Sequence, residues 1–423
     1  MSPSHSLPSR YVILGTQLVF NIGFYAVVPF LAMHMRDDLL MGSAMIGLVL
    51  GVRTFSQQGM FFLGGLLAQR WGYRRLMLAG CAVRVLGYLG LALAHTPVML
   101  VISASLTGLG GAMFSPSMEA LTAEIENQAQ RQRQAAAAQG TAADAKPRAS
   151  LFAAFAVFGE VGAVAGPVLG GLLMPWGFAW TAVSCAGVFV LAAIVLYATV
   201  PVNLHRSTAA AIDWRQVLRQ RDFLVFALAY SSCLFSYNQL YIAVPAEISR
   251  IGAPPLALSW LFVLASVLVI WLQFPIAALC RDMPARKSLV IGFSWMALAF
   301  GALLSSVADG MPDAFAQSYA SAAPVTLFVI FVSLGQMFAA PVAMSLVPRF
   351  ARQKGLPVYY GLLATAGGVT VLLGNALLGL LQDGLAGAAP ARGGAALAWG
   401  CAMLLPAGSA WVMARLRLPP AAH

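Results

Sequence analysis

The chain has 423 residues, 60% of them hydrophobic and only 9% charged, with a mean hydropathy of +0.81; a soluble domain is about 25% charged. That composition excludes a water-soluble globular protein and assigns the chain to the lipid bilayer. The net charge of +11 raises nucleic acid as a partner, but the placement of the basic residues excludes it, because they follow the loops between apolar runs.

In chain order, apolar runs of spanning length fall at 11–33, 44–68, 76–95, 98–118, 150–174 and 178–199, then at 223–245, 256–280, 288–308, 322–346, 357–381 and 395–414. Each is near the roughly 20 residues that a hydrocarbon core demands, so an all-α integral membrane protein of twelve transmembrane helices is predicted. The first run bears Asn21 and is followed by charges and another span, so it is expected to remain in the mature protein rather than act as a cleaved signal. Between spans 4 and 5, residues 127–147 are rich in Ala and Gln and lack apolar periodicity, predicting a cytoplasmic loop insertion. The polar stretch 203–221, with His205, Asp213 and Trp214, predicts a cytoplasmic linker between a six-helix bundle over 1–202 and another over 222–423. Two such halves place a binding site at mid-depth between them.

Twenty of the 25 Lys and Arg residues lie in segments on one side of the predicted topology, among them Arg10, Arg70, Arg131, Arg215, Arg286, Arg349 and Arg415. The opposite loops hold only Arg36, Arg250 and Arg392, so both termini are expected in the cytoplasm. The five cysteines (Cys81, Cys185, Cys233, Cys280, Cys401) contain no CxxC pair, and the five histidines lie in loops or tails. No disulfide framework, metal site or cofactor is expected from them, and no catalytic constellation accompanies them, so an enzyme is not expected.

Two motifs carry more information. After span 2 comes a glycine-flanked basic turn, Gly65-Leu66-Leu67-Ala68-Gln69-Arg70-Trp71-Gly72-Tyr73-Arg74-Arg75. In span 5, Gly162, Gly166 and Gly170 recur at spacing four, with Pro167 and Gly171 alongside, making one flat stripe against which another helix can close. The turn resembles the GxLaDRxGRK loop of the major facilitator superfamily, and the stripe resembles the gxxxGPxxGG motif of its twelve-helix drug:proton antiporter branch. Gly51-Val52-Arg53, Gln57-Gln58-Gly59, Gly108 to Phe114 and Ala340-Pro341 extend that resemblance toward multidrug efflux members. The resemblance implies a major-facilitator fold in a cell inner membrane, exporting drug-like amphipathic molecules in exchange for protons. Where the family motif has Asp, this chain has Gln69, so the loop's usual ion pairing must differ; Glu124 is the acid expected to meet its arginines.

Ionisable groups deep in a span are costly and mark functional candidates, and here they are Arg53, Arg84 and Glu160. At about 1.5 Å per residue, Glu160 and Arg84 sit roughly 15 Å and 12 Å into their helices from the same side. Glu160 falls beside the glycine stripe rather than on it. It is expected either to carry the coupled proton or to form a fixed ion pair with Arg84 or Arg53. Glu119 is placed at the cytoplasmic end of span 4. Gln17, Asn21, Gln57, Gln58, Tyr237, Asn238, Gln239, Gln336 and Asn375 are polar or aromatic residues inside spans that would line a path or bond neighbouring helices. The expected function is secondary active export with small molecules, protons and lipid as partners, by a monomer. The alternatives are a metabolite or organic-anion carrier of the same fold and, in another class, a non-transporting scaffold or sensor.

Overall fold

A computed structural model describes residues 8–138, 151–201, 217–281, 283–308, 322–351, 356–384 and 391–418. Every regular element among them is helical, because lipid offers no partner to a backbone N–H or C=O left outside a helix. The first half runs α1 (Arg10–Met33) with a π turn (His34–Asp38), α2 (Ser43–Thr54), a π turn (Phe55–Gly59), α3 (Phe61–Trp71), α4 (Tyr73–Ala92), α5 (Pro97–Ala138), α6 (Leu151–Leu173) and α7 (Phe178–Thr199). The second runs α8 (Arg221–Asn238), a 3₁₀ turn (Gln239–Tyr241), α9 (Ala243–Arg250), α10 (Pro255–Arg281), α11 (Ala285–Ala308), α12 (Ala323–Phe350), α13 (Leu356–Gly384) and α14 (Ala391–Arg415). Among the described residues, eleven helical segments are long and apolar enough to cross a membrane. The α2–α3 segment supplies the twelfth crossing, interrupted at Met60.

Two boundaries differ from expectation. The fourth span continues as helix to Ala138, so the first part of the expected 127–147 loop is helical. Its Ala, Gln and Arg are strong helix formers, and missing apolar periodicity signals an unburied helix as readily as a loop. Residues 139–147 lie outside the described residues, as do 203–216 of the expected linker. The seventh span breaks at Gln239–Tyr241, where Tyr237, Asn238 and Tyr241 meet the interior.

The two halves pack alike. In each, the first crossing lies on the fifth (α1 on α6, α8 on α13), and the third lies on the fourth and sixth (α4 on α5 and α7, α11 on α12 and α14). The bundles meet along α2–α13 and α6–α10, again the second crossing of one half against the fifth of the other. This is an internal repeat that the weak similarity of the two sequences hardly reveals. Large apolar side chains such as Trp260, Trp271, Phe274 and Ile194 are exposed on the outer wall, as a surface facing lipid tails permits.

One end of the molecule is closed. Both oxygens of Asp383, at the end of α13, accept backbone N–H bonds from Ser43 and Ala44 at the start of α2, each at 2.8 Å. The hydroxyl of Ser249, at the end of α9, donates to Asp37 at 2.9 Å. At the opposite end, which bears the α3–α4 turn, α3 still touches α13, but α5 makes no more than isolated contact with α12.

Candidate functional site

A cavity of about 320 Å³ lies between the bundles. α1 contributes Gln17, Phe20, Asn21, Phe24 and Tyr25, and the α2 region contributes Arg53, Thr54, Gln57 and Gln58. α5 adds Ser115, Met118 and Glu119, the second bundle adds Leu234, Tyr237, Asn238, Tyr241 and Gln336, and Phe155 closes one side. A second space of about 200 Å³ shares Gln58, Leu234, Tyr237 and Gln336 with it and extends into the second bundle past Tyr360. Ser115, Glu119 and Phe155 lie toward the helix ends at the loosely packed end, so the cavity faces that end and is shut from the other.

Of the expected path residues, Gln17, Asn21, Gln57, Gln58, Tyr237, Asn238 and Gln336 line this cavity. Gln239 and Asn375 do not. They lie at a small gap beside Arg36 and Trp399, where the Gln239 amide donates to Asn375 Oδ1 at 2.8 Å and Asn375 donates to Asn238 Oδ1 at 3.0 Å. Asn238 then donates to Thr54 Oγ1 across the bundle interface at 3.1 Å. This amide chain ties the break in the seventh crossing to the residue just before the π turn of the second.

Arg53 lies four residues before Gln57, and its Nη2 donates to Gln57 Oε1 at 2.9 Å. Its guanidinium carbon stands 4.5 Å from the centre of the Phe24 ring. Arg84 is fully buried, 4.1 Å over Phe20, 5.1 Å over Phe189 and 5.9 Å from Phe24. Such cation–π contacts offset part of the desolvation cost of a guanidinium. Gly111 of α5 makes the crowding possible, because a side chain there would collide with Arg84 Nη2 and the Gln57 amide.

The expected ion pair is absent. Neither arginine lies within 4.0 Å of a carboxylate, and among the described residues the ion pairs are His34–Asp38 and Glu247–Arg250. Glu160 instead sits half-buried near Tyr25 and Tyr237, close enough to interact with both electrostatically. Glu119, which the sequence placed at the cytoplasmic end of span 4, lies three residues from the end of the apolar Pro97–Thr122 part of α5, exposed and on the cavity wall.

The turn after α3 holds Gly72 at φ +83°, a left-handed conformation that favours glycine and lets α4 start one residue later. Arg74 donates to the carbonyl of Tyr197 at 2.6 Å and lies 4.7 Å over its ring, bracing α4 against α7. Arg70 and Arg75 are exposed, and a side chain at Gly65 would meet open space. The side chains of Gln69 and Glu124 lie outside the described residues. The stripe on α6 packs as its spacing predicts: Gly162, Gly166 and Gly170 face the backbone of α1 at Leu18, Ile22 and Ala26. On the neighbouring edge Gly171 abuts Ser259 of α10, whose hydroxyl donates to the Pro167 carbonyl at 2.7 Å. One motif therefore serves packing within its bundle and contact between bundles.

Two six-helix bundles enclosing a cavity between them are the architecture of a membrane transporter. A model of the family described as Major Facilitator Superfamily matches residues 13–374, and the chain belongs to that family. It is 32% identical over 386 residues to the uncharacterized MFS-type transporter Rv0849 of Mycobacterium tuberculosis (strain ATCC 25618 / H37Rv), covering 89% of this chain and 86% of that one. It is 26% identical over 375 residues to the multidrug resistance protein MdtH of Aeromonas hydrophila subsp. hydrophila, covering 87% of each. Among solved structures, an auto inhibited POT family peptide transporter superposes with a TM-score of 0.72 at 14% identity, covering 97% of this chain and 98% of that one. The nucleoside transporter NupG superposes with a TM-score of 0.71 at 13% identity, covering 96% and 99%. The chain is accordingly a transporter and not an enzyme.

Proposed function

We propose that the chain exports small amphipathic molecules across the inner (plasma) membrane in exchange for protons, acting as a monomer with both termini in the cytoplasm. The observation that carries this reading is the cavity itself, which combines aromatic walls, amide groups and one carboxylate, Glu119, and draws on both bundles. Its open end carries the Arg70–Arg75 turn and the other basic loops, so in this orientation it faces the cytoplasm. Similarity to the MdtH multidrug resistance proteins supports amphipathic cargo, and the phenylalanine-rich wall with the adaptable Met118 suits an apolar body on that cargo.

Glu119 and Glu160 are the proton carriers in this reading. Among the described residues neither carboxylate has an ion-pair or hydrogen-bond partner, and both lie within the crossing segments at or beside the cavity. An unpaired carboxylate in a region whose hydration changes with conformation binds its proton on one side and releases it on the other. The exchange is tested in vesicles loaded with a pH-sensitive dye. Cargo-triggered proton movement in wild type, absent in Glu119→Gln or Glu160→Gln while folded protein remains in the membrane, is expected. Undiminished proton movement in both variants would remove these carboxylates from the cycle.

A further inference from the structure

We propose that Arg53, with Arg84 behind it, forms the docking point for an anionic group on the cargo, and that the preferred cargo is an amphipathic organic monocarboxylate. Its role as a cargo site rests on the exporter reading; the binding chemistry does not.

Arg53 lies on the cavity wall yet is only 3% exposed. One of its nitrogens is engaged by Gln57, while Nε is buried without any partner. Arg84 is 0% exposed; the Tyr88 hydroxyl is its polar neighbour, but none of Nε, Nη1 and Nη2 is in full hydrogen-bond geometry with it or with any other described group. Phe24 stands beside both guanidinium groups, so two cations share one aromatic ring, and no carboxylate among the described residues pairs with either.

A guanidinium is not neutralised by losing its proton, and two of them buried side by side within a membrane are costly unless an anion joins them. The described residues do not supply that anion: Glu160 forms no ion pair, and the Gln57 amide is the group that holds Arg53. A carboxylate matches the donor geometry of arginine, and the flanking phenylalanines favour an apolar body attached to it. A cationic cargo would leave both arginines uncompensated and would add to their repulsion.

The test is binding to purified protein in lipid nanodiscs without a gradient, with 2-naphthoate and its neutral counterpart 2-naphthamide as probes. Wild type is expected to bind naphthoate at least tenfold more tightly than naphthamide. Arg53→Gln should abolish that preference while keeping its naphthamide affinity, and Arg53→Lys should keep part of it. Equal affinities in wild type would overturn the proposal, as would a preserved naphthoate preference in Arg53→Gln or full displacement of naphthoate by chloride at the same concentration. The wild-type comparison needs no variant, so a misfolded substitution leaves the test in force. Naphthoate that binds but drives no proton movement in vesicles would remove the antiport reading and leave the site standing. Proton-coupled export of lipophilic cations with no naphthoate preference would remove the site alone.

Discussion

The two bundles share a packing plan but not an interior. In the first, α1 and α6 approach until glycine meets backbone, and Arg53, Arg84, Glu119 and Glu160 lie within the crossing segments. In the second, the corresponding α8–α13 contact places Gly367 against the Leu234 side chain and Gly374 against the Phe235 ring, and the amides of Asn238, Gln239 and Asn375 bond one another in a chain. The difference teaches a division of labour. The first half carries rigid contacts and unpaired charge, where the proposed cargo and proton sites lie, whereas the second supplies a neutral wall whose contacts can adjust.

The largest effect that would break this comparison is steric. Gly166→Leu forces α1 and α6 apart, because even a Cβ would fall against Tyr25, the Ile22 carbonyl and Ala26 N–H. Overpacking costs about 1–3 kcal/mol or more, so monodisperse protein should be largely lost on size exclusion. Gly374→Leu meets an aromatic side chain that can turn, and should retain most of its folded yield; equal losses would erase the asymmetry.

Next in size is the loss of charge. Glu119→Gln and Glu160→Gln should each reduce cargo-coupled proton flux by about tenfold or more, equivalent to roughly 1.4 kcal/mol in the step affected. Arg84→Met should act in the opposite sense on stability. It removes a buried cation with three unpartnered nitrogens, and replacing a buried charge with an apolar side chain is often stabilising. A rise of a few degrees in thermal midpoint is expected, and a clear fall would show that the ring contacts outweigh the desolvation cost.

Smaller effects belong to the neutral half and to the closed end. Asn375→Leu removes two hydrogen bonds of the amide chain, each worth about 0.6 kcal/mol on average in a membrane, so transport should slow by less than about tenfold. Asp383→Asn removes the charge that caps α2 at Ser43 and Ala44, a contribution of about 0.5–1 kcal/mol. Faster external labelling of a cysteine placed at Ser249 should report the loosened closure.

Much of the fold was legible in the chain. Twelve crossings follow from run lengths, and the glycine stripe of α6 follows from spacing alone, since i and i+4 always share a helix face. The site was only partly legible. Arg53, Gln57, Gln58, Tyr237, Asn238 and Gln336 were found as polar groups in apolar runs, and they line the cavity. Gln239 and Asn375 carried the same signal but bond each other, because Gln239 lies in the 3₁₀ turn after Asn238 and meets Asn375 of α13 beside, not in, the cavity. Glu119 was legible as a charge at the end of its span, but not as part of the cavity wall, which requires the other bundle.

By itself, then, the sequence determined how many times this chain crosses the bilayer, which loops are basic and which helix face is flat, because hydrophobicity and helical period are local properties. Tertiary structure alone decided that Arg53 and Arg84 share Phe24 with no carboxylate beside them, that Glu160 stands apart from both, and that Asp383 closes one end on α2. Each of those depends on helices far apart in the chain and on π and 3₁₀ turns that shift the facing of every residue beyond them, which no local pattern encodes.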